Sequence, residues 1–324
     1  MNQEEGVDMK SDSGRKQSRI HMHIYVLLCV MIGFAASSYW PTAYATGPTS
    51  HLAPAAVQQY AEQQARALGT SNSDWLAAEL DYYPLGPGTH GWFVQASITD
   101  KRVGYMIISV TSMGELTLSE YGQGEQALYD NELLGQALER LHLKQAMVQT
   151  AGGKITAHYA PPLLAYWKLE QPNQDALYVD ASNGDLLPGH TLQQLQNNAP
   201  SSSWGAGEML EPQDNSAVKV VRTNQVFMHP AFDPSLQLAW LTSEPLKPAH
   251  IEKWLQYNQN EPLVFSAGER NLFYGGPLPV SAHQWWHKDS DSILYVALGG
   301  IHSVQRFVPM NTLWNDGHFY MINR

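Results

Sequence analysis

The chain has 324 residues, enough for two or three folded cores, with 44% hydrophobic but only 15% charged residues. Its formal net charge is −11, and the first 45 residues hold four acids and four bases, so the whole excess lies downstream. An acidic body of this kind is repelled by phosphates, which argues against a nucleic-acid partner, and its single cysteine, Cys29, excludes internal disulfides, thiolate zinc sites and a cysteine nucleophile after it.

In chain order, residues 1–23 are polar and end in Arg15, Lys16 and Arg19. Ile24 to Ala36 then runs without a charge for 13 residues, and the apolar stretch extends to Trp40. That length matches a signal-peptide core better than a full membrane span of about 20 residues. Ala43-Tyr-Ala45 supplies a small-x-small cleavage pattern. The segment is therefore either removed after Ala45 or retained as an anchor with its basic flank inside. In both cases the body is expected outside the cytoplasm.

Ala53 to Leu68 has helical spacing, with Gly69 expected as its C-terminal cap. Strand-like runs follow at Trp75–Tyr83, Gly91–Thr99, Tyr105–Val110 and Glu115–Tyr121, with Asp100-Lys-Arg102 read as a hairpin tip. Asn131 to Leu143 repeats the helical pattern, and strands are expected at 155–159, 164–170 and 176–180. Asn183-Gly184 is the strongest two-residue hairpin signal, because both positions favour positive φ. Residues 189–217 read as a polar linker. The remainder, 218–324, reads as a β-rich domain with one helix at 248–257 and strands at 263–266, 293–298, 305–308 and 319–322.

The expected fold is thus α+β: a hydrophobic N-terminal helix at 24–40, two modules of a helix plus an antiparallel meander (46–128 and 129–188), the linker, and a β-rich C-terminal domain. The run Gly104-Tyr-Met-Ile-Ile-Ser109 with Leu118-Ser-Glu-Tyr-Gly122 resembles strands of streptopain-type propeptide modules. Ala165-Tyr-Trp-Lys-Leu169 with Tyr178-Val-Asp-Ala-Ser-Asn-Gly-Asp-Leu186 is similar to the closing hairpin of PepSY modules in exported bacterial proteins. These short patterns cover about residues 53–188. The resemblance implies PepSY-like, cystatin-like modules that inhibit, chaperone or dock a peptide, with an exported protease as one partner. A streptopain-like peptidase needs a cysteine in its following domain, and none exists there.

Candidate chemistry is sparse. His283-Gln-Trp-Trp-His287 would place two imidazoles on one helical face, spaced to clamp a divalent metal, with His302, His318, Asp289 and Asp291 nearby. Without a metal signature, partly exposed structural histidines are the competing reading. Gly122-Gln-Gly-Glu-Gln-Ala127 matches a dinucleotide fingerprint in form, but it leaves a meander rather than a βαβ unit and reads as a turn. Asp180 to Asp185 lacks calcium-loop spacing and reads as a hairpin. No catalytic residue and no bound cofactor is assigned. The sequence points first to an exported, non-catalytic docking protein with Trp92, Phe93, Tyr105, Trp167 and Tyr178 as candidate groove residues. The alternative is a metal-dependent extracytoplasmic enzyme built on the C-terminal histidines.

Overall fold

The computed structural model describes residues 53–322 except 87–90, 112, 127, 145–147, 149–151, 191, 193–220, 258–260, 289–290 and 301–303. The N-terminal hydrophobic run and most of the polar linker lie outside the described residues. Those described belong to one unit, Ala43–Arg324. Its architecture is mixed α+β, with few helices and one large antiparallel sheet.

Helix α1 (Ala55–Leu68) buries Val57, Ala61, Gln64, Ala65 and Leu68 on the stripe that its periodicity dictates. Gly69 does not take the left-handed cap conformation; its φ is −59°. The Thr70 and Ser71 hydroxyls donate to the Ala67 and Leu68 carbonyls, so side chains satisfy the helix end instead. The expected strand at 75–83 begins later. Asp74–Ala77 forms a single helical turn, α2, opened by Asn72 Oδ1, which accepts from the Asp74 amide. Trp75 is driven into the core by that turn.

Four strands follow as a meander: β1 (Glu79–Leu85), β2 (Gly91–Ile98), β3 (Lys101–Val110) and β4 (Leu116–Gln123). The β2–β3 tip is Thr99-Asp100, with φ of 45° and 64°, so it falls just before the expected position. Helix α3 (Asn131–Arg140) is capped by Asp130, whose Oδ1 accepts from the Glu132 and Leu133 amides. A second sheet follows, in the order β5 (Lys154–Ala160), β6 (Leu164–Glu170), β7 (Leu177–Asp180) and β8 (Leu186–Leu187). The β7–β8 hairpin exists, but Asn183-Gly184 is not a two-residue turn. Only Gly184 has positive φ, because Asp180 Oδ1 binds the Ser182 amide and hydroxyl and holds a longer loop.

Beyond the linker the chain returns to the first sheet. The short strands β9 (Val221–Thr223), β10 (Phe227–Met228) and β11 (Leu263–Ser266) pair with one edge of β12 (Leu278–Lys288), with helix α4 (Pro248–Tyr257) lying between β10 and β11 in the chain. On its other edge β12 pairs with β13 (Asp291–Leu298), which pairs with β14 (Arg306–Pro309), and β15 (His318–Met321) pairs with β11. β14 then joins β4 through Phe307 opposite Tyr121. The result is an 11-stranded sheet ordered β1-β2-β3-β4-β14-β13-β12-β11-β15, with β9 and β10 also on β12.

Both faces of the β4–β14 seam are fixed. On one face the Tyr121 and Phe307 rings stack at 4.7 Å, within 11° of parallel, and Tyr121 Oη donates to Gln284 Oε1 at 2.5 Å. On the other, Arg306 Nε and a terminal guanidinium nitrogen donate to the two Glu120 oxygens, each at 2.8 Å. Glu120 is wholly buried and Arg306 is 7% exposed. The Tyr105 and Tyr159 hydroxyls also donate to Glu120, so the pair is tied to β3 and to the second sheet. Burial, and then the Glu120 carboxylate, push both phenols well above their usual range and keep them as donors.

Side chains on the Tyr121 face of the sheet, among them Trp92, Val94, Met106, Ala282 and Trp286, form one core with α1 and Trp75. The opposite face of the meander carries Phe93, Tyr105 and Ile107 against α3 and the second sheet. Close approach leaves no room for a side chain at Gly104, where a Cβ would lie 2.3 Å from Trp75 Cζ2 and 2.5 Å from the Gly122 carbonyl oxygen. Gly104→Ala is expected to destabilise by about 1–3 kcal/mol in urea unfolding, because neither a packed indole nor a strand carbonyl can give way.

Candidate functional site

Trp92, Phe93, Tyr105, Trp167 and Tyr178, read from the sequence as groove residues, are all buried in hydrophobic clusters rather than lining a groove. The physical reason is coverage: a meander with α1 on one face and a second sheet on the other leaves no wet side for alternate residues. These rings hold the layers together.

His283 and His287 lie on strand β12, not on a helix. At about 3.3 Å per residue in a strand, four positions separate them by roughly 13 Å, too far to share an ion. His287 Nδ1 contacts Ser292 Oγ at 2.8 Å instead. His318 is exposed at the start of β15, Asp291 begins β13, and His302 and Asp289 lie outside the described residues. Among the described residues no group of three or more His, Cys, Asp or Glu side chains is arranged to hold a metal ion.

The partner that His283 does find is His229, 54 positions away, with Nε2 to Nδ1 at 3.0 Å. The pair is 2% and 7% exposed and lies between the Phe227 ring, stacked on His283, and the Trp254 indole. The two imidazoles are hydrogen-bonded to each other in an aromatic slot, and the pair itself brings no anionic ligand to offset a dication. The dyad staples the 227–229 segment to β12. Burial, and then His229, lower the His283 pKa to about 4. On β5, His158, stacked on Tyr166, is lowered to about 4 by burial, then by Lys168.

A folded pKa below the unfolded value means the unfolded chain takes up the proton first as pH falls. The stability associated with neutral His283 is therefore full above about pH 6.5 and lost progressively towards pH 4, by about 3 kcal/mol. His283→Gln is expected to flatten that part of the pH–stability curve, measured by urea unfolding between pH 7 and 4. An unchanged acid slope would show that this histidine is not its source.

A cleft of about 350 Å³ lies among the described residues, between α1 and the edge strand β1. Gln58, Glu62, Ala65 and Arg66 form the helix wall, and Leu80 and Tyr82 form the strand wall. Leu76 stands at the cleft 62% exposed, an apolar side chain held there by the α2 turn. Trp75 also lines the cleft, and its buried indole N–H has no acceptor. Glu62 and Arg66 are 3.6 Å apart, one helical turn along α1. Burial, then Glu62 and Asp81, raise the Tyr82 hydroxyl to about 12, so it stays protonated at neutral pH.

β1 pairs with β2 on one side, and no strand pairs with its other side among the described residues. The far end of the sheet is different. Strand β15 is covered by the 243–246 segment, where Ser243 Oγ and the Leu246 amide donate to the Met321 and Phe319 carbonyls. The residue pattern at 75–83 predicts a strand over Leu80 and Tyr82 but carries no sign of the cleft, since the helix wall comes from an element some 20 residues earlier. The chain matches no protein-family model, no curated protein and no solved structure.

Proposed function

We propose that this is an exported, non-catalytic binding or regulatory protein of the bacterial cell envelope that docks a peptide or protein segment. The observation that carries the reading is the cleft with exposed Leu76 at its lip, beside an edge of β1 that pairs with no strand among the described residues. An unpaired strand offers a row of backbone donors and acceptors, and an adjoining pocket selects side chains. Export is supported by the charge-free run at 24–36 with its basic flank and by the absence of cysteine after residue 29. Among the described residues no helix is long and apolar enough to cross a membrane, and the 24–40 segment lies outside them. The PepSY-like and propeptide-like patterns at 53–188 make an exported protease a fitting partner.

The test is titration of the full-length chain into the proteases secreted by the same cell, reading residual activity and complex formation together. The expected result is a saturable complex. Leu76→Asp, at a position already facing solvent, is expected to weaken that complex about tenfold while leaving the unfolding midpoint nearly unchanged. A complex indifferent to Leu76→Asp would move the docking surface elsewhere, and absence of any complex would remove the proposal.

A further inference from the structure

We infer that the segment taken up at the α1–β1 cleft is an extended polypeptide of alternating apolar and basic residues, added as a further strand on the free edge of β1. This rests on the docking function proposed above and names the chemistry of its partner.

The two faces of β1 have different surroundings. Leu80 and Tyr82 point to the α1 side, where they join the core around Val57 and Trp75. Their neighbours alternate to the opposite face, where Tyr83 and Leu85 meet the second core. Glu79 and Asp81 share that second orientation. A strand laid beside β1 would set its side chains about 5 Å from same-face neighbours, so its two faces would read different surroundings. Residues beside Leu80 and Tyr82 would enter the cleft next to Leu76 and should be apolar. Residues beside Glu79 and Asp81 would meet two carboxylates and should be cationic.

Those carboxylates are uncompensated. Neither has a salt-bridge partner among the described residues, and burial together with Glu79 already disfavours ionised Asp81. The nearby bases are committed. Arg66 faces Glu62, Lys101 binds Glu125 at 2.9 Å, and Arg102 binds Asp130 at 3.0 Å. A Lys or Arg from outside would relieve a like-charge contact at the sheet edge. The usable edge is short, because Pro84 has no N–H and the Gly86 amide already donates to the Ala157 carbonyl. That leaves about five residues, Glu79 to Tyr83, the length of an ordinary strand.

The experiment uses the full-length chain and two labelled synthetic peptides of about seven residues, one alternating valine and lysine, the other valine and glutamate. Fluorescence anisotropy at low salt should show the lysine peptide binding at least about tenfold more tightly. Hydrogen exchange should show it protecting residues 79–83. The Glu79→Lys/Asp81→Lys double variant should reverse the preference, and the shape-conserving Glu79→Gln/Asp81→Asn pair should abolish it. Equal binding of both peptides, or protection confined to another part of the chain, would overturn the inference. If a secreted protein still binds in a Leu76-dependent way while the lysine peptide does not, this inference falls and the docking function stands. If neither binds, both fall.

Discussion

Everything distinctive in this fold turns on one buried ion pair, Glu120 with Arg306, placed where two stretches of chain 186 residues apart become adjacent strands. Burying two charges is costly unless the geometry is bidentate and the remaining lone pairs are satisfied, and here both conditions hold. The guanidinium covers both carboxylate oxygens while the Tyr105 and Tyr159 hydroxyls take up further lone pairs. The ion pair therefore joins three parts at one point: β4 of the meander, β14 of the C-terminal strands and β5 of the second sheet. Tyr121 on Phe307 closes the opposite face, and the Tyr295 hydroxyl donates to the Leu118 carbonyl across the same seam.

That seam decides which edges are left over. Because β4 is spent on β14, the meander cannot extend further on that side, and β1 becomes the terminal strand of an 11-stranded sheet. At the other terminus, β15 is roofed by the 243–246 segment. The cleft follows from the same arrangement, since α1 covers the sheet up to Leu80 and Tyr82 and the α2 turn leaves Leu76 beyond it. The proposed docking edge and the buried pair are thus opposite ends of one four-strand unit.

Much of the element content was legible in the sequence. Helix α4 was read at its observed limits, and the strands of both meanders were placed nearly everywhere, because period-2 and period-3.6 patterns are local. The failures are informative. Strand β12 was missed because His283-Gln-Trp-Trp-His-Lys288 shows no period-2 alternation of apolar and polar residues, and its two histidines at i and i+4 invited a helical reading. The groove aromatics were misplaced because burial of both sheet faces depends on which layers stack, which no single segment encodes. Glu120 passed unnoticed as one acid in a strand, and its role appears only when Arg306 is brought against it. The same holds for His229 and His283, two ordinary histidines until the fold sets them 3.0 Å apart.

The most direct test of this account is a double-mutant cycle at the seam, with Glu120→Gln, Arg306→Met and the pair measured by urea unfolding. Each single change leaves a buried charge or polar group without its partner and should cost about 3–5 kcal/mol. The double variant should cost far less than the sum, with a coupling of about 2 kcal/mol or more. Single losses below about 1 kcal/mol that simply add would contradict the claim that this ion pair fastens the C-terminal strands to the meander.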